Sequence, residues 1–534
     1  MIQYEAKGVL LHTHMTTSFL ESDVGVGSRG VSEEGEDMNF REILGVSNLR
    51  HLRLVELLYA CRIGLSSDQL LEELECSLSV LLKDVKLINS QQDAFRIMKY
   101  KGLYQLQIKS HVSINRLYAD TIQQSPEFQI IEELLYEECE NIIDLSKKLF
   151  LSPSKTQRNL KKIESVLLQT GINLQYRPLR LEGNESVIRH MYYRYFIEKS
   201  DRLDSLYRDL KEFQIKAITE LVNQFIQVNK LEDNYISRKR LGYNMYISLW
   251  RIKNGHYYPK SELESDLMLP EKQSLDAFKR MALEVFRVKL SSDKIKDCLW
   301  LSYSDVVVAS KSQLHSALRK EDEYADCYYR HLELVEEFDS LLNFSLGNDK
   351  KQELAIVLLN EHRIYEPDGQ LIDILFLQRK IFLEKLSETH DQAVKKVKKI
   401  VDYFVRRYQI YQAEDFVWNY VYLLITMVPQ SLTLLASCDR PLKLLLLSEL
   451  SPTEEFFLGS QIENQIYGNF EVHYVEKKLT SVNINRSELE KYDALITSSS
   501  VEEVPEEYPT VVIDPFLTNQ DVFQLQQLVS KLAG

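Results

Sequence analysis

Glycine and proline are scarce, 17 and 12 among 534 residues. These residues punctuate turns, so their shortage argues against a protein of many short strands and for long helices. The six cysteines (Cys61, Cys76, Cys139, Cys298, Cys327, Cys438) are scattered, and none forms a Cys-x-x-Cys pair. That argues against a disulfide frame and a zinc site and predicts reduced, buried thiols in a cytoplasmic protein. No Gly-x-x-x-x-Gly-Lys-Ser/Thr, His-Glu-x-x-His or Gly-x-Ser-x-Gly run occurs, so nothing points to an enzyme, a bound cofactor or a metal. Positive charge is also in deficit. A net charge of −14 prevents the whole molecule from coating nucleic acid, so any DNA contact must come from a local basic patch.

Long apolar runs are nearly absent. Phe416–Cys438 carries no charge, but Asn419, Pro429 and Gln430 interrupt it. A spanning helix needs about 20 predominantly apolar residues, so a buried helix followed by a turn is expected instead of a membrane span. Met1–Asp37 ends in acids and has no helical period or signal-peptide pattern. It is expected to be disordered, with Met38 a candidate natural start.

What is present is a mainly helical, multidomain chain. A length of 534 residues implies several units of roughly 100–150 residues each. Short helices after Leu49 lead to a hairpin, Phe95–Met98 with Tyr104–Ile108 around Gly102. A second set leads to another, Ile172–Tyr176 with Leu179–Glu182 around Arg177–Pro178. From Ser186 to about Ser437 the text is helical. It then alternates: strands at Lys443–Ser448, Phe470–Val475, Ala494–Thr497 and Thr510–Ile513, helices at Thr453–Tyr467 and Asp521–Leu532. Such alternation predicts a small open α/β sheet.

The strongest local signal lies in Ile142–Leu168. Leu145 and Leu149 give a first helix an inward face, Ser152-Pro153-Ser154 is a turn with a capping serine, and Leu160, Ile163 and Leu167 form the stripe of a second helix. Opposite that stripe are expected Lys155, Thr156, Arg158, Asn159, Lys161 and Lys162, a stretch with four cations and no acid. A helix-turn-helix needs this division: one face locks the helix to its domain, the other carries cations for phosphates and polar groups for base edges. An ordinary solvated face is the plainer alternative. A weaker candidate precedes it: a capped helix from Ser67, a turn at Cys76-Ser77 and a helix over Leu78–Ile88 with Lys83 and Lys86 outward beside Asp84. Its hairpin could be a wing, with Arg96, Lys99 and Lys101 reaching phosphate. Structural support and DNA contact both stay open for this unit.

These features together resemble a known group. The early helix-turn-helix with wing, the stretch Leu145–Ile163, and Leu179-Arg-Leu181-Glu-Gly183-Asn184-Glu185 leading into Ile188-Arg189 are similar to the Mga/AtxA group of Gram-positive virulence regulators. The resemblance is most specific over Asp144–Glu198. It implies a transcription activator that binds double-stranded DNA as a homodimer, for virulence or carbohydrate-linked genes. The implied order is a disordered extension (1–37), a first winged helix-turn-helix (38–110), and a second with its own wing (111–190). Two all-α phosphotransferase-regulation domains (191–295 and 296–437) and a small α/β domain like the sugar phosphotransferase component EIIB (438–534) follow.

The resemblance also implies phosphotransferase phosphocarrier proteins as partners. An imidazole nitrogen can carry phosphate, and the added charge can shift an interface. His256 and His362 share an echo, an apolar helix ending in Asn-x-His with a proline soon after (Asn254, Pro259; Asn360, Pro367), and His331 and His390 are further candidates. Plain helix-end histidines are the alternative. Asn244 stands where the usual histidine of the first such domain is expected. An EIIB enzyme carries its phosphate on a cysteine just after the first strand. Here Glu449-Leu450-Ser451-Pro452 follows and no cysteine does, which predicts a catalytically silent scaffold suited to dimerisation. The rival function is a phosphotransferase-sensing scaffold without strong DNA binding.

Overall fold

The computed structural model describes residues 40–61, 64–91, 94–200, 210–231, 233–263, 265–304, 307–308, 311–320, 322–342, 345–364, 373–376, 378–410, 414–436, 441–474, 489–499, 504–505 and 507–532. The expected disordered extension, Met38 and Cys438 lie outside these residues.

After a 3-10 turn (Phe40–Ile43) come helices α1 (Val46–Ala60), α2 (Ser67–Glu73) and α3 (Leu78–Gln91), then strands β1 (Phe95–Tyr100) and β2 (Leu103–Ile108). Helices α4 (Asn115–Gln124), α5 (Pro126–Tyr136), α6 (Ile142–Lys148) and α7 (Pro153–Leu168) lead to strands β3 (Asn173–Tyr176) and β4 (Leu179–Glu182). The helical stretch holds α8 (Glu185–Lys199), α9 (Glu212–Asn229), α10 (Tyr235–Lys253), α11 (Lys272–Phe286), α12 (Ser292–Cys298) and α13 (Trp300–Tyr303). It continues through α14 (Lys311–Lys320), α15 (Asp322–Leu341), α16 (Asn348–Ile364), α17 (Gln378–Arg407), α18 (Glu414–Met427) and α19 (Ser431–Ala436). The last part holds β5 (Leu442–Leu447), α20 (Pro452–Gln465), β6 (Phe470–Tyr474), β7 (Ala494–Thr497), β8 (Thr510–Val512) and α21 (Asn519–Leu532).

Two compact units result. The described part of one lies within Leu20–Tyr329 and Ile356–Leu377, that of the other within Arg330–Ala355 and Gln378–Gly534. In the first unit one apolar core runs without a break from Phe40 to Tyr303 and takes in Ile374 and Leu375. Both turn motifs and the helices after them are therefore held by shared packing, not strung as beads. Helix α10 is the axis of this core. Every residue from Leu241 to Ile252 is buried, including Asn244, whose amide donates to the Arg240 carbonyl at 2.8 Å.

In the second unit the uncharged stretch forms α18 and α19 with a break at Pro429. No described helix is long and apolar enough to cross a membrane. Strands β6, β5, β7 and β8 form a sheet in that order, all parallel, with Leu444 opposite Val472 and Ala494. Leu442, Leu444 and Leu446 face Leu458, Ile462, Leu525 and Val529, while Leu445 and Leu447 face Leu489 and Leu495. A strand covered on both sides is why β5 reads as an unbroken leucine run.

None of the five described cysteines is in a disulfide, but Cys61, Cys76 and Cys327 are only half-buried, contrary to expectation, while Cys139 and Cys298 are buried.

Candidate nucleic-acid interface

Helix α6 begins at Asn141, whose side-chain oxygen accepts from the Ile143 and Asp144 amides at 2.9 and 3.1 Å. Helix α7 begins at Ser152, whose hydroxyl accepts from the Lys155 amide at 3.2 Å, with Pro153 in the first helical position. These caps satisfy amides that a helix start otherwise leaves open, and they set the angle of the turn. Phe150 lies in that turn at φ +54° with its ring 96% exposed. Inside, the hydroxyls of Ser146 and Thr156 meet at 3.0 Å and tie the helices together. Leu145, Leu160, Ile163 and Leu167 are buried as the apolar spacing requires.

The outward face differs from expectation at two places. Thr156 and Asn159 point inward, fully buried and 3% exposed. They are removed from the base-reading set, because Thr156, Leu160, Ile163 and Leu167 follow one another at three- and four-residue steps, and Asn159 flanks that line. Gln157, exposed and four residues before Lys161, was overlooked. The same spacing puts it outward once Thr156 is recognised as part of the stripe. Arg158 and Lys161 are exposed and Lys155 half-exposed. None of the three makes an ion pair among the described residues. Lys162 is half-buried and donates to the Leu44 carbonyl at 3.4 Å. Beside α7, the β3–β4 hairpin packs Leu174, Leu179 and Leu181 inward, the Tyr176 hydroxyl donates to Glu164 at 2.7 Å, and Arg177 is exposed at the tip.

In the first turn motif Lys83 and Lys86 are exposed on α3. Asp84 does not lie beside them. It is buried, with Arg50 at 2.5 Å and His51 at 2.9 Å. Burial alone would push its carboxyl up, but hydrogen bonds from Arg50 and His51 hold it below the ordinary carboxylate value. The inward turn of Asp84 leaves the lysine face without an opposing acid. The hairpin turns at Lys101 and Gly102, φ +47° and +88°. Arg96 is exposed, while Lys99 reaches the Ser67 hydroxyl at 3.0 Å and lies over the Tyr104 ring.

A buried charge network ties the second turn motif to the helices behind it. Arg189 contacts Glu185 at 3.0 Å and Asp297 at 2.6 Å, and Arg251 contacts Glu185 at 2.5 Å and Glu137 at 3.1 Å. His256 Nε2 lies 2.7 Å from the same Glu137 oxygen. Burial acts to raise the Glu185 carboxyl, but Arg189 and Arg251 outweigh it and hold it below the ordinary value. Burial pushes Asp297 up despite Arg189.

The four histidines have different settings. His331 is fully buried, with Nε2 2.8 Å from the Tyr420 hydroxyl, so a phosphoryl donor cannot reach it in this conformation, and it drops out. His362 is half-buried in the last turn of α16. His390 sits at a non-helical break inside α17, its pKa lowered by burial. The Asn-x-His echo is not equivalent in three dimensions. Asn254 caps the end of α10, whereas Asn360 lies within α16 and pairs with both backbone groups of Val308 at 2.8 Å.

After β5, the Ser448 amide and hydroxyl donate to the buried Glu455 carboxylate at 3.0 and 2.8 Å. Both donors of Ser448 are thus committed to an internal anion. Among the described residues no group of His, Cys, Asp or Glu is arranged to hold a metal. Gly25-Val-Gly27-Ser-Arg-Gly30 has the Gly-x-Gly-x-x-Gly spacing but lies outside the described residues, and that spacing alone is weak evidence of nucleotide binding.

Residues 110–196 match the Mga helix-turn-helix domain family. The chain is 21% identical over 468 residues, 86% of its length and 92% of the relative's, to a protein of Streptococcus pneumoniae serotype 4 (strain ATCC BAA-334 / TIGR4) named as a trans-acting regulator. It is 28% identical over 199 residues, 36% of this chain and 40% of the relative, to the capsule synthesis positive regulator AcpA of Bacillus anthracis. To AcpB of the same organism, also a capsule synthesis positive regulator, it is 21% identical over 379 residues, 68% of this chain and 75% of that one.

Proposed function

We propose, from the premise that the chain carries an Mga helix-turn-helix domain at residues 110–196, that this cytoplasmic protein binds double-stranded DNA and activates transcription of virulence or carbohydrate-linked genes. The observation that carries the reading is the capped α7, which turns to solvent Arg158 and Lys161, neither of them in an ion pair among the described residues, in a chain of net charge −14. Lys155 and Gln157 flank them. Such a face attracts phosphate and offers an amide to base edges. The relatives named as positive regulators support activation. The test is a DNA titration at several salt concentrations. Arg158→Ala with Lys161→Ala lowers affinity and reduces the salt slope by about two, one per lost phosphate contact. An unchanged slope refutes the recognition face. A chain that binds no duplex at any salt supports the rival reading, a phosphotransferase-sensing scaffold.

The gate we propose is histidine phosphorylation, dimerisation through the last domain, or both. The six-segment layout read from the sequence, with two phosphotransferase-regulation domains and an EIIB-like end, is part of this proposal. His256 and His362 are the favoured acceptors. A phosphoryl group on His256 adds roughly −1.5 to −2 charge on the scale of hydroxyl phosphates, beside Glu137 and within reach of Arg251. Incubation with phosphocarrier, its kinase and phosphoenolpyruvate should label one of the two. Mass spectrometry that preserves phosphohistidine and finds neither labelled removes phosphorylation of these two histidines from the gate.

A further inference from the structure

Four residues far along the chain are built into the DNA-binding unit. Glu198, at the end of α8, accepts hydrogen bonds from three consecutive amides, Ile374, Leu375 and Phe376, at 3.0, 2.7 and 3.0 Å. Arg194, one turn earlier on α8, pairs with Asp373. Arg41, in the turn before α1, donates to the Leu375 carbonyl at 3.1 and 2.7 Å. The Phe376 ring packs on Tyr118 of α4 with centroids 4.7 Å apart, and Ile374 and Leu375 are buried in the common core. Backbone and side chains of the segment are thus both read, as in a bound peptide.

The socket residues also hold one another. Arg41 is oriented by Glu56 of α1 through contacts of 3.0 and 2.7 Å, and the Tyr118 hydroxyl donates to Glu56 at 2.7 Å. Arg41 and Glu56 belong to the first turn motif, Tyr118 to the second, and Arg194 and Glu198 to α8, which starts at the end of the second and runs on from it. The same leading turn packs on α7, where Lys162 reaches the Leu44 carbonyl. The hydrogen bonds, ion pair and ring contact of Asp373–Phe376 described above involve no residue of α3, α6 or α7. The segment therefore leaves the basic face uncovered and acts at the joint between the two motifs.

We propose that Asp373–Phe376 is an internal peptide ligand that braces the two helix-turn-helix units into one reading body. The socket takes a bent segment, an acid followed by three apolar residues, whose three successive amides converge on one carboxylate. Two reading heads held rigidly at one spacing bind a duplex more tightly than two that swivel, because the second contact is made at high effective concentration. The brace itself stands without the DNA reading, and only its consequence for affinity rests on that reading.

The test uses the full chain and two variants. Glu198→Gln removes the charged acceptor. Ile374→Gly with Leu375→Gly leaves every socket residue in place and serves if the first variant does not fold. Hydrogen exchange is expected to speed up about tenfold at amides 374–376, as for a lost charge-assisted bond. The rise should extend to 40–44 and to α4. Affinity for a 40-base-pair mixed-sequence duplex should fall by about tenfold, with the salt slope of Arg158 and Lys161 retained. Unchanged exchange at 374–376 in a folded variant overturns the latch. Faster exchange confined to those amides, with 40–44 and α4 unaffected, overturns the bracing. If the unaltered chain binds no duplex, the DNA reading fails while the exchange measurement still decides the brace.

Discussion

Thr156 and Arg158 stand two residues apart on α7 and do opposite work. The Thr156 hydroxyl meets Ser146 in the interior, while Arg158 points to solvent. Replacing Thr156 by valine should lower stability by about 1 kcal/mol, the usual net worth of one buried hydrogen bond. The Ser146 hydroxyl keeps its bond to the Ile142 carbonyl at 2.6 Å, which limits the loss. The salt slope of DNA binding should not move. Arg158→Ala with Lys161→Ala should do the reverse, changing the slope and leaving the unfolding free energy within about 0.5 kcal/mol of the original. Urea unfolding and DNA titration of the same samples separate the two. A slope change in the threonine variant would return that residue to the contact face.

Among elements, α8 is the joint of the first unit. Its first two turns send Glu185 and Arg189 into the buried charge network, and its last two turns send Arg194 and Glu198 to the latch. Glu185 is held below the ordinary carboxylate value by Arg189 and Arg251, although burial acts to raise it. A carboxyl depressed in the fold contributes stability that is present above its unfolded pKa of about 4.3 and is lost as pH falls through the folded value. Asp297, raised by burial, has the opposite sign, so Glu185 must be isolated by substitution. Glu185→Gln should cost on the order of 3 kcal/mol at pH 7, because Arg189 and Arg251 lose their shared anion. The variant's melting temperature should also fall less steeply than that of the unaltered chain below about pH 4. Parallel acid limbs for the two proteins would show that Glu185 does not supply this dependence.

For the whole molecule, assembly is the open variable. Phe456 and Phe457 on α20 are 64% and 65% exposed, and Phe516 after β8 is 70% exposed. Three bare aromatic rings in one small α/β region are costly in water unless something covers them. In the dimer proposed above, a second copy is the occupant. Removing Pro441–Gly534 should convert a dimer to a monomer in sedimentation, and Phe456→Ser with Phe457→Ser should weaken the dimer without changing the circular dichroism of the chain. A truncated protein that still sediments as a dimer places the interface elsewhere.

Local rules were enough for much of this protein. The cap at Ser152, the stripe Leu160-Ile163-Leu167, the hairpin strands and the leucine run of β5 depend on spacing and residue chemistry over fewer than about 20 positions, and they were legible as such. The cationic character of Lys155–Lys162 was equally plain. Which of those side chains faced out was settled only by packing: Thr156 and Asn159 are polar, so their types gave no hint of burial, and Lys162 was drawn to a carbonyl 118 residues away. Asp84 looked like a neighbour of two surface lysines until Arg50 and His51 drew it inward. His331 was one histidine among four candidates until Tyr420, 89 residues on, enclosed it. The latch was least legible of all. Its partners stand as far apart as Arg41 and Leu375, 334 residues, and the Glu198 carboxylate recognises backbone amides, which every sequence has and none advertises.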